Sequence, residues 1–245
     1  MERKLKNIYK FLEENGRYNY AVQKGFYHAC IMPYHKALDK ARSLLYHILN
    51  TQSQPKIDKV AEFWQNILDE PKKLSSFINF SKTINADQDN ESPFLNLFKA
   101  LKKQPGWGDK TAALFVKALY HVHNGKYNEF SFWKDVPEFT RNDRLLLPVD
   151  AVITYIFKKL SHNKLRSFAA INNELKNYGY VGANMEIWDD LWFWGFITQK
   201  GSGNKRRIGF NEAKYWAMPW SDKKLSTITI IKGEAKYFKN MITTK

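Results

Sequence analysis

Apolar side chains recur every three or four residues along most of this 245-residue chain, which is the spacing of one face of an α-helix. A stripe of this kind near the N-terminus predicts a helix that ends at about Gly16. Further helices are expected at about residues 38–49, 57–68, 72–81, 93–103, 109–121, 149–160, 164–178 and 185–198. Only the β-branched run at 225–231 predicts a strand. The sequence therefore predicts an all-α protein.

The net charge of the chain points to a polyanionic partner. Lysine and arginine number 39 against 24 for aspartate and glutamate, which gives a formal charge of +15 at pH 7. Such a surplus attracts nucleic acid, although an acidic membrane surface or an acidic protein would satisfy the charge alone. Aromatic residues make up 16% of the chain, more than a core needs, and some of these rings can stack on bases. We expect nucleic acid to be the partner.

Several classes of protein are excluded by what the sequence lacks. No apolar run approaches the roughly 18 to 20 residues of a membrane span, and the N-terminal residues are charged rather than built like a signal peptide. Cys30 is the only cysteine, so an internal disulfide, an iron–sulfur cluster and a cysteine-based zinc site are excluded. The histidines show no zinc-binding spacing. We therefore expect a cytoplasmic protein without a metal or cofactor.

A glycine turn between two helical segments is the clearest candidate for a phosphate contact. Ser92 offers a capping hydroxyl and Pro93 suits the first helical position, so together they predict a helix start. The turn that follows this helix reads Gln-Pro-Gly-Trp-Gly at 104–108. Gly106 and Gly108 flank one residue and allow positive φ angles, and the next helix opens with N–H groups that point out of the turn. Such a helix N-terminus would bind one DNA phosphate without reading the base sequence.

Two strings, PGWGDKTAALFVKAL and LPVDAVITYIFKKL, resemble the helix-hairpin-helix and Gly/Pro/Asp signature of the DNA glycosylase superfamily that includes endonuclease III. The matched region runs from about residue 44 to 160, or roughly half of the chain. The resemblance implies two helical lobes that flank a DNA-binding cleft, with the hairpin and Lys110 at the mouth of the cleft. We expect one lobe at 46–160 and the other to combine 1–45 with 161–245.

The resemblance implies that Lys110 decides the type of reaction. In family members with a lysine at this position, the amine attacks the sugar C1′, expels the damaged base and forms a Schiff base that leads to strand cleavage. The surrounding residues agree with this role, because a helix N-terminus and the neighbouring Lys102, Lys103 and Lys117 create a positive potential that favours the neutral, nucleophilic amine. The alternative is a surface lysine on a basic helix.

Asp150 is the second catalytic residue that the resemblance implies. It stands at the start of a predicted helix, where a carboxylate commonly caps N–H groups. By resemblance, its negative charge would stabilise the positive charge that develops on the sugar as the base departs, and would help to deprotonate the amine. The capping and catalytic roles are compatible, since a cap fixes the orientation of the carboxylate.

The departures from endonuclease III favour another branch of the superfamily. The connection from Lys110 to Asp150 is longer, Ala151 and Val152 replace the usual Thr-His, and no cluster-binding cysteines follow. These features resemble the cluster-free, lysine-bearing 8-oxoguanine glycosylases, including the archaeal type. The implied function is base-excision repair of damaged, double-stranded chromosomal DNA by a monomeric glycosylase with AP lyase activity, with 8-oxoguanine favoured. The alternatives are an enzyme for oxidised pyrimidines and a non-catalytic helix-hairpin-helix protein that only binds DNA.

Further DNA contacts are expected in three places. They are the hairpin, the end of the helix at 38–49 and the basic loop after residue 201. At the helix end, the family inserts a polar side chain into the gap left by the extruded base. A polar inter-helix turn and a solvated loop are the alternatives for the last two. The expected DNA-binding residues are Gly106, Trp107, Gly108 and Thr111 in the hairpin, Gln52, which aligns best, with its neighbour Gln54, and Lys205, Arg206 and Arg207 in the basic loop.

Trp188 and Trp192 are the candidate base pocket. At positions i and i+4 of one predicted helix they share a face, which is typical of core packing but would also suit a flat oxidised purine. The long insertion at 124–144 is expected to be functional or partly ordered rather than an empty linker, and its role stays open.

Overall fold

The computed structural model describes residues 1–89, 91–218 and 224–243, and nearly all of its regular structure is helical, which confirms the predicted all-α class. The single ladder in this part of the chain joins β1 (Gln199–Lys200) to β2 (Arg207–Ile208) in antiparallel orientation. Within the same ranges, no helix has both the length and the apolarity to cross a membrane. The helices are α1 (Glu2–Asn15), α2 (Arg17–Ile31), α3 (Ala37–Leu49), α4 (Ile57–Leu68), α5 (Phe77–Thr83), α6 (Pro93–Leu101), α7 (Asp109–His123), α8 (Ala151–Leu160), α9 (Phe168–Asn177), α10 (Asn184–Trp188), α11 (Leu191–Ile197), α12 (Glu212–Ala217) and α13 (Leu225–Thr243).

The chain divides into two compact units. The first unit comprises Met1–Gly25, Val149–Tyr180 and Ile187–Lys245, and the second comprises Phe26–Pro148 and Val181–Glu186. The expected lobes differ from these units chiefly in residues 26–45 and 149–160. The glycine turn and Lys110 belong to the second unit, and Asp150 belongs to the first.

The core of the first unit is built around α8. Helix α11 contacts α8 and α13, and α13 also contacts α1 and α8. A Cβ on Gly195 of α11 would lie 2.6 Å from Ile156 Cδ1 and 2.7 Å from Val152 Cγ1, so this glycine lets α11 approach α8 closely. Phe11 and Trp194 add an edge-to-face ring contact with centroids 4.9 Å apart. These contacts hold the helix whose N-terminus carries the candidate aspartate.

The predicted strand at 225–231 is wrong, because these residues form the start of α13. Ile228, Ile231, Ala235 and Phe238 are buried at helical spacing. A β-branched residue lowers helix stability by less than about 0.7 kcal/mol, whereas burial of a large apolar side chain contributes about 1.5–3 kcal/mol. Packing therefore decides the conformation of this segment.

Helix α7 forms the centre of the second unit. It contacts α3 and α6, and every residue from Thr111 to Val122 except Leu114 is buried. The fully buried rings of Phe94 and Phe115 lie in the same core. Because α7 is buried along its length, its first turn is held firmly against the neighbouring helices of this unit.

The insertion at 124–144 is ordered, and it supports α5. Trp133 is buried, and its Nε1 donates a hydrogen bond to the Leu74 carbonyl at 3.0 Å. The Asp135 carboxylate accepts the N–H groups of Phe77 and Ile78, both at 3.0 Å, and so caps the start of α5. A structural role for the insertion follows directly from these contacts.

The start of α6 is predicted correctly at Pro93, but the prediction that the Ser92 hydroxyl caps it is wrong. The Ser92 side chain makes no capping bond. Asp143, at the far end of the insertion, instead accepts the N–H groups of Phe94 and Leu95 at 2.8 and 2.9 Å. Burial raises the pKa of Asp143 above its ordinary value, against the opposite effect of these N–H donors. The cap comes from a part of the chain that local sequence does not reveal.

Other boundaries differ from the predictions for local reasons. Helix α2 is not predicted at all, and Gly16 has a right-handed φ of −61°, so the chain passes almost directly from α1 into α2. The helix predicted at 72–81 is a short 3₁₀ turn (Pro71–Leu74) followed by α5. The helix predicted at 185–198 is broken into α10 and α11.

Candidate functional site

The glycine turn joins α6 to α7 in the second unit. Gly106 has the predicted positive φ, at 78°, and a Cβ there would lie 2.9 Å from Val60 Cγ2 and 3.0 Å from Val60 N. Gly108 is different, because its φ of −129° is open to any residue and its Cβ would meet nothing within 4 Å. The prediction of positive φ is therefore confirmed for Gly106 and wrong for Gly108. Only Gly106 is required by both the backbone angle and the close approach of α4.

Two side chains that we expected in the DNA contact are buried. Trp107 is 7% exposed and packs edge-to-face on Phe63 and Phe115, with centroid distances of 5.2 and 6.0 Å. Thr111 is 4% exposed. These side chains anchor the turn and the first turn of α7 in the core, so a DNA contact at either residue would be made by backbone groups.

The N-terminus of α7 carries an ion pair that the sequence analysis missed. Asp109, in the first turn, lies 2.8 Å from Lys102 Nζ through its Oδ1. The carboxylate is favourable at the positive end of the helix, but it also offsets part of the positive charge that we expected around Lys110. Lys117, another member of the expected cluster, is buried at 5% exposure.

The Lys110 amine is held at the end of α3. Its Nζ donates to Thr51 Oγ1 at 3.0 Å and to the Thr51 carbonyl at 3.2 Å. The Thr51 hydroxyl donates in turn to the Ile48 carbonyl at 2.8 Å, which fixes Oγ1 as an acceptor for the lysine. Lys110 is half-buried. The side chain is thus oriented rather than free to sweep through solvent.

Gln52 connects the same end of α3 to the glycine turn. Its Nε2 donates to the Gly106 carbonyl at 3.1 Å. Gln54, the neighbouring candidate, is exposed. The second unit therefore brings together three sequence-predicted residues, Lys110, Gln52 and Gly106, and adds Thr51.

Asp150 begins α8 in the first unit and caps it as predicted. Its Oδ1 accepts the N–H groups of Val152 at 2.8 Å and Ile153 at 2.9 Å. The carboxylate is half-buried. The two bonds fix its orientation, and both end on the same oxygen.

The basic loop is tied to the start of α8 within the first unit. Arg206 Nη1 donates to Gln199 Oε1 at 2.7 Å, and the fully buried Gln199 donates through Nε2 to the Val152 carbonyl at 3.1 Å. Arg206 thus has a structural partner, whereas Lys205 and Arg207 are exposed. Of the three predicted cations, these two are the better placed to meet a phosphate.

Trp188 and Trp192 do not share a helix face, because the helix is broken between them. Trp188 is fully buried and contacts Tyr180 edge-to-face with centroids 5.1 Å apart, which is core packing. Trp192 is partly exposed and stacks on Phe196 with centroids 5.0 Å apart and an interplanar angle of 12°. Trp192 is the member of the pair with accessible surface.

No protein-family model matches this chain, and neither do the curated proteins or the solved structures. The resemblance to DNA glycosylases therefore stays a prediction that depends on the motifs and on the geometry around Lys110.

Proposed function

We propose that this chain is a base-excision DNA glycosylase with AP lyase activity, which removes an oxidised base from duplex DNA through a Schiff base on Lys110. The observation that carries the proposal is the meeting of Lys110, Thr51, Gln52 and Gly106 in the second unit. It provides one oriented amine at a helix N-terminus beside a glycine turn. A module that only binds DNA backbone needs the turn, but it has no use for an amine fixed in this way.

The proposed reaction uses the neutral Lys110 amine as the nucleophile. A bond forms between Nζ and the sugar C1′ while the bond from C1′ to the base breaks, and the base leaves with a proton. The imine that follows sugar opening withdraws electrons, so loss of a proton and cleavage of the C3′–O bond cut the strand. Thr51 acts as a positioning residue, because it holds Nζ through two acceptors.

For Asp150 we propose electrostatic stabilisation of the sugar as positive charge develops on it. The cap supports this role, because two N–H donors orient the carboxylate before substrate arrives. A group that is already oriented does not need to reorganise during the reaction.

Duplex binding is proposed to be largely independent of base sequence. The charge of +15 supplies the long-range attraction, and the first N–H groups of α7, next to Gly106, supply a phosphate contact. The exposed Lys205 and Arg207 are further candidates. We place 8-oxoguanine ahead of oxidised pyrimidines as the substrate, on the resemblance to the cluster-free branch and the partly exposed ring of Trp192.

A panel of duplexes, each with a single lesion, tests the proposal. Single-turnover excision of 8-oxoguanine, thymine glycol and uracil would be measured in the presence of chelator, since amine attack requires no metal. We expect 8-oxoguanine to be released fastest. Lys110→Gln should abolish excision and keep duplex binding, whereas Lys82→Gln, which removes an exposed lysine of α5, should keep both. Asp150→Asn retains a capping oxygen and should slow excision by about 100-fold or more.

Each other outcome has a definite meaning. Tight binding of every duplex without excision of any lesion would make the chain a non-catalytic DNA-binding protein. Faster excision of thymine glycol than of 8-oxoguanine would show that the substrates are oxidised pyrimidines. Excision lost with chelator and restored by magnesium would contradict the amine mechanism.

A further inference from the structure

A small pocket lies in the second unit among α5, the start of α6 and the insertion. Its volume is about 110 Å³. Part of its lining is apolar and comes from Phe77, Ile78, Pro93 and Pro137. Liquid water occupies about 30 Å³ per molecule, and sites for drug-sized ligands are about 300–1,000 Å³. The pocket therefore admits the end of one side chain rather than a nucleotide.

Three carboxylates also line this pocket, on Asp87, Asp89 and Asp135. Asp135 caps α5, and the other two each accept one backbone N–H through Oδ1, from Asp89 at 3.2 Å and from Glu91 at 3.0 Å. A carboxylate can accept about four hydrogen bonds, so capacity remains. None of the described residues that line the pocket is a lysine or an arginine. The pocket is thus locally acidic in a chain whose net charge is +15.

Ser81 gives the pocket an unused hydrogen-bonding group. The residue lines the pocket and is 4% exposed, and its Oγ has no hydrogen-bond partner within the described ranges. Buried hydroxyl groups normally have a partner. This one points to a ligand that completes the pocket.

We propose that the pocket binds an arginine side chain of a protein partner. A guanidinium carries only N–H donors, which match the carboxylates and Ser81 Oγ as acceptors, and its methylene stem suits the apolar walls. The carboxylates would repel a DNA phosphate. Within the described residues, no group of three or more His, Cys, Asp or Glu side chains is arranged to hold a metal ion. The charge and shape together favour an organic cation.

The probe is a blocked Gly-Arg-Gly tripeptide, titrated into the full chain while the amide signals of residues 77–78 and 86–89 are followed by NMR. The control peptide carries citrulline, which keeps the shape of arginine and removes its charge. We expect saturable shifts with the arginine peptide and at least about tenfold weaker binding of the citrulline peptide. Equal affinities would overturn the proposal.

Variants test whether peptide binding depends on the carboxylates of the pocket or on the surface charge of the whole chain. Asp87→Asn combined with Asp89→Asn keeps an acceptor for each turn, since asparagine makes the same local bond, and should weaken peptide binding at least about tenfold. Ser81→Ala should weaken it by about two- to tenfold. Asp58→Asn removes an exposed carboxylate of α4 that does not line the pocket and should change nothing. Unchanged affinity in the double variant would also overturn the proposal.

Two further results would replace the proposed occupant. Concentration-dependent shifts of the same amides without peptide would identify a second copy of this chain as the occupant and overturn a separate partner. Stronger shifts with magnesium or calcium than with the peptide would identify a metal ion instead. The titration contains no DNA, so a negative result would not contradict the proposed glycosylase activity.

Discussion

Replacing the imidazole of His123 should make the stability of the protein less sensitive to acid. The residue ends α7, and its ring meets Phe132 edge-to-face with centroids 4.9 Å apart. Its Nε2 is buried without a hydrogen-bond partner in the part of the chain that the structure describes. Burial lowers the pKa of His123 from 6.5 to about 4, against a smaller opposite effect of Asp135. The folded protein therefore keeps this ring neutral at pH values where the unfolded chain protonates it.

The sign and size of the effect follow from proton binding. Between pH 6.5 and about 4 the unfolded state binds more protons at His123, so the free energy of unfolding falls as the pH is lowered through this window. At about 1.4 kcal/mol per pKa unit, the full loss is about 3 kcal/mol, of which about 2 kcal/mol is reached at pH 5. His121 acts in the same direction, because burial lowers its pKa well below the ordinary value.

Urea unfolding at about pH 7.5 and about pH 5 measures this difference for the wild type and His123→Phe. Phenylalanine keeps a ring against Phe132 and does not titrate. We expect the wild type to lose about 2 kcal/mol more than the variant between the two pH values. His35→Gln, which removes an exposed histidine, should behave like the wild type. Equal losses in the wild type and His123→Phe would refute the reasoning.

Gly106→Ala should destabilise the protein by about 2–4 kcal/mol, because the positive φ and the contact with α4 both oppose a Cβ. Gly108→Ala should lower the thermal unfolding midpoint much less, and equal decreases in the two variants would contradict the different roles given to these glycines. Asp143→Ala should lower the free energy of unfolding by about 1–3 kcal/mol, since two N–H groups of α6 lose their acceptor. An unchanged thermal unfolding midpoint would exclude this cap as a source of stability. Lys205→Glu with Arg207→Glu should reduce the slope of log affinity for duplex DNA against log salt by about 0.9 for each phosphate that the loop no longer neutralises. An unchanged slope in fluorescence anisotropy would remove the loop from the DNA interface.

Helices are predictable from this sequence where the apolar stripe is regular. Helices α3, α4 and α7 start within one residue of their predicted positions. Helix α2 is missed because Gly25 and a mixture of polar and aromatic residues obscure its stripe. Helix α13 is mistaken for a strand at its start because local propensity ignores the packing of Ile228 and Ile231.

The candidate site is predictable only where its geometry is local. The φ of Gly106 follows from the residues of the turn, and the cap at Asp150 from its place before a helix. The bonds from Lys110 to Thr51 and from Gln52 to Gly106 join residues 59 and 54 positions apart, and no local pattern encodes them. Only the three-dimensional structure reveals these long-range contacts.

Borohydride trapping on an 8-oxoguanine duplex, followed by peptide mass spectrometry, tests most directly whether Lys110 is the nucleophile. Reduction of the proposed imine would convert it into a stable covalent link between the protein and the sugar. We predict an adduct on the peptide that contains Lys110, its loss in Lys110→Gln, and its retention in Lys82→Gln. An adduct that persists in Lys110→Gln, or that maps to another amine, would contradict the central claim.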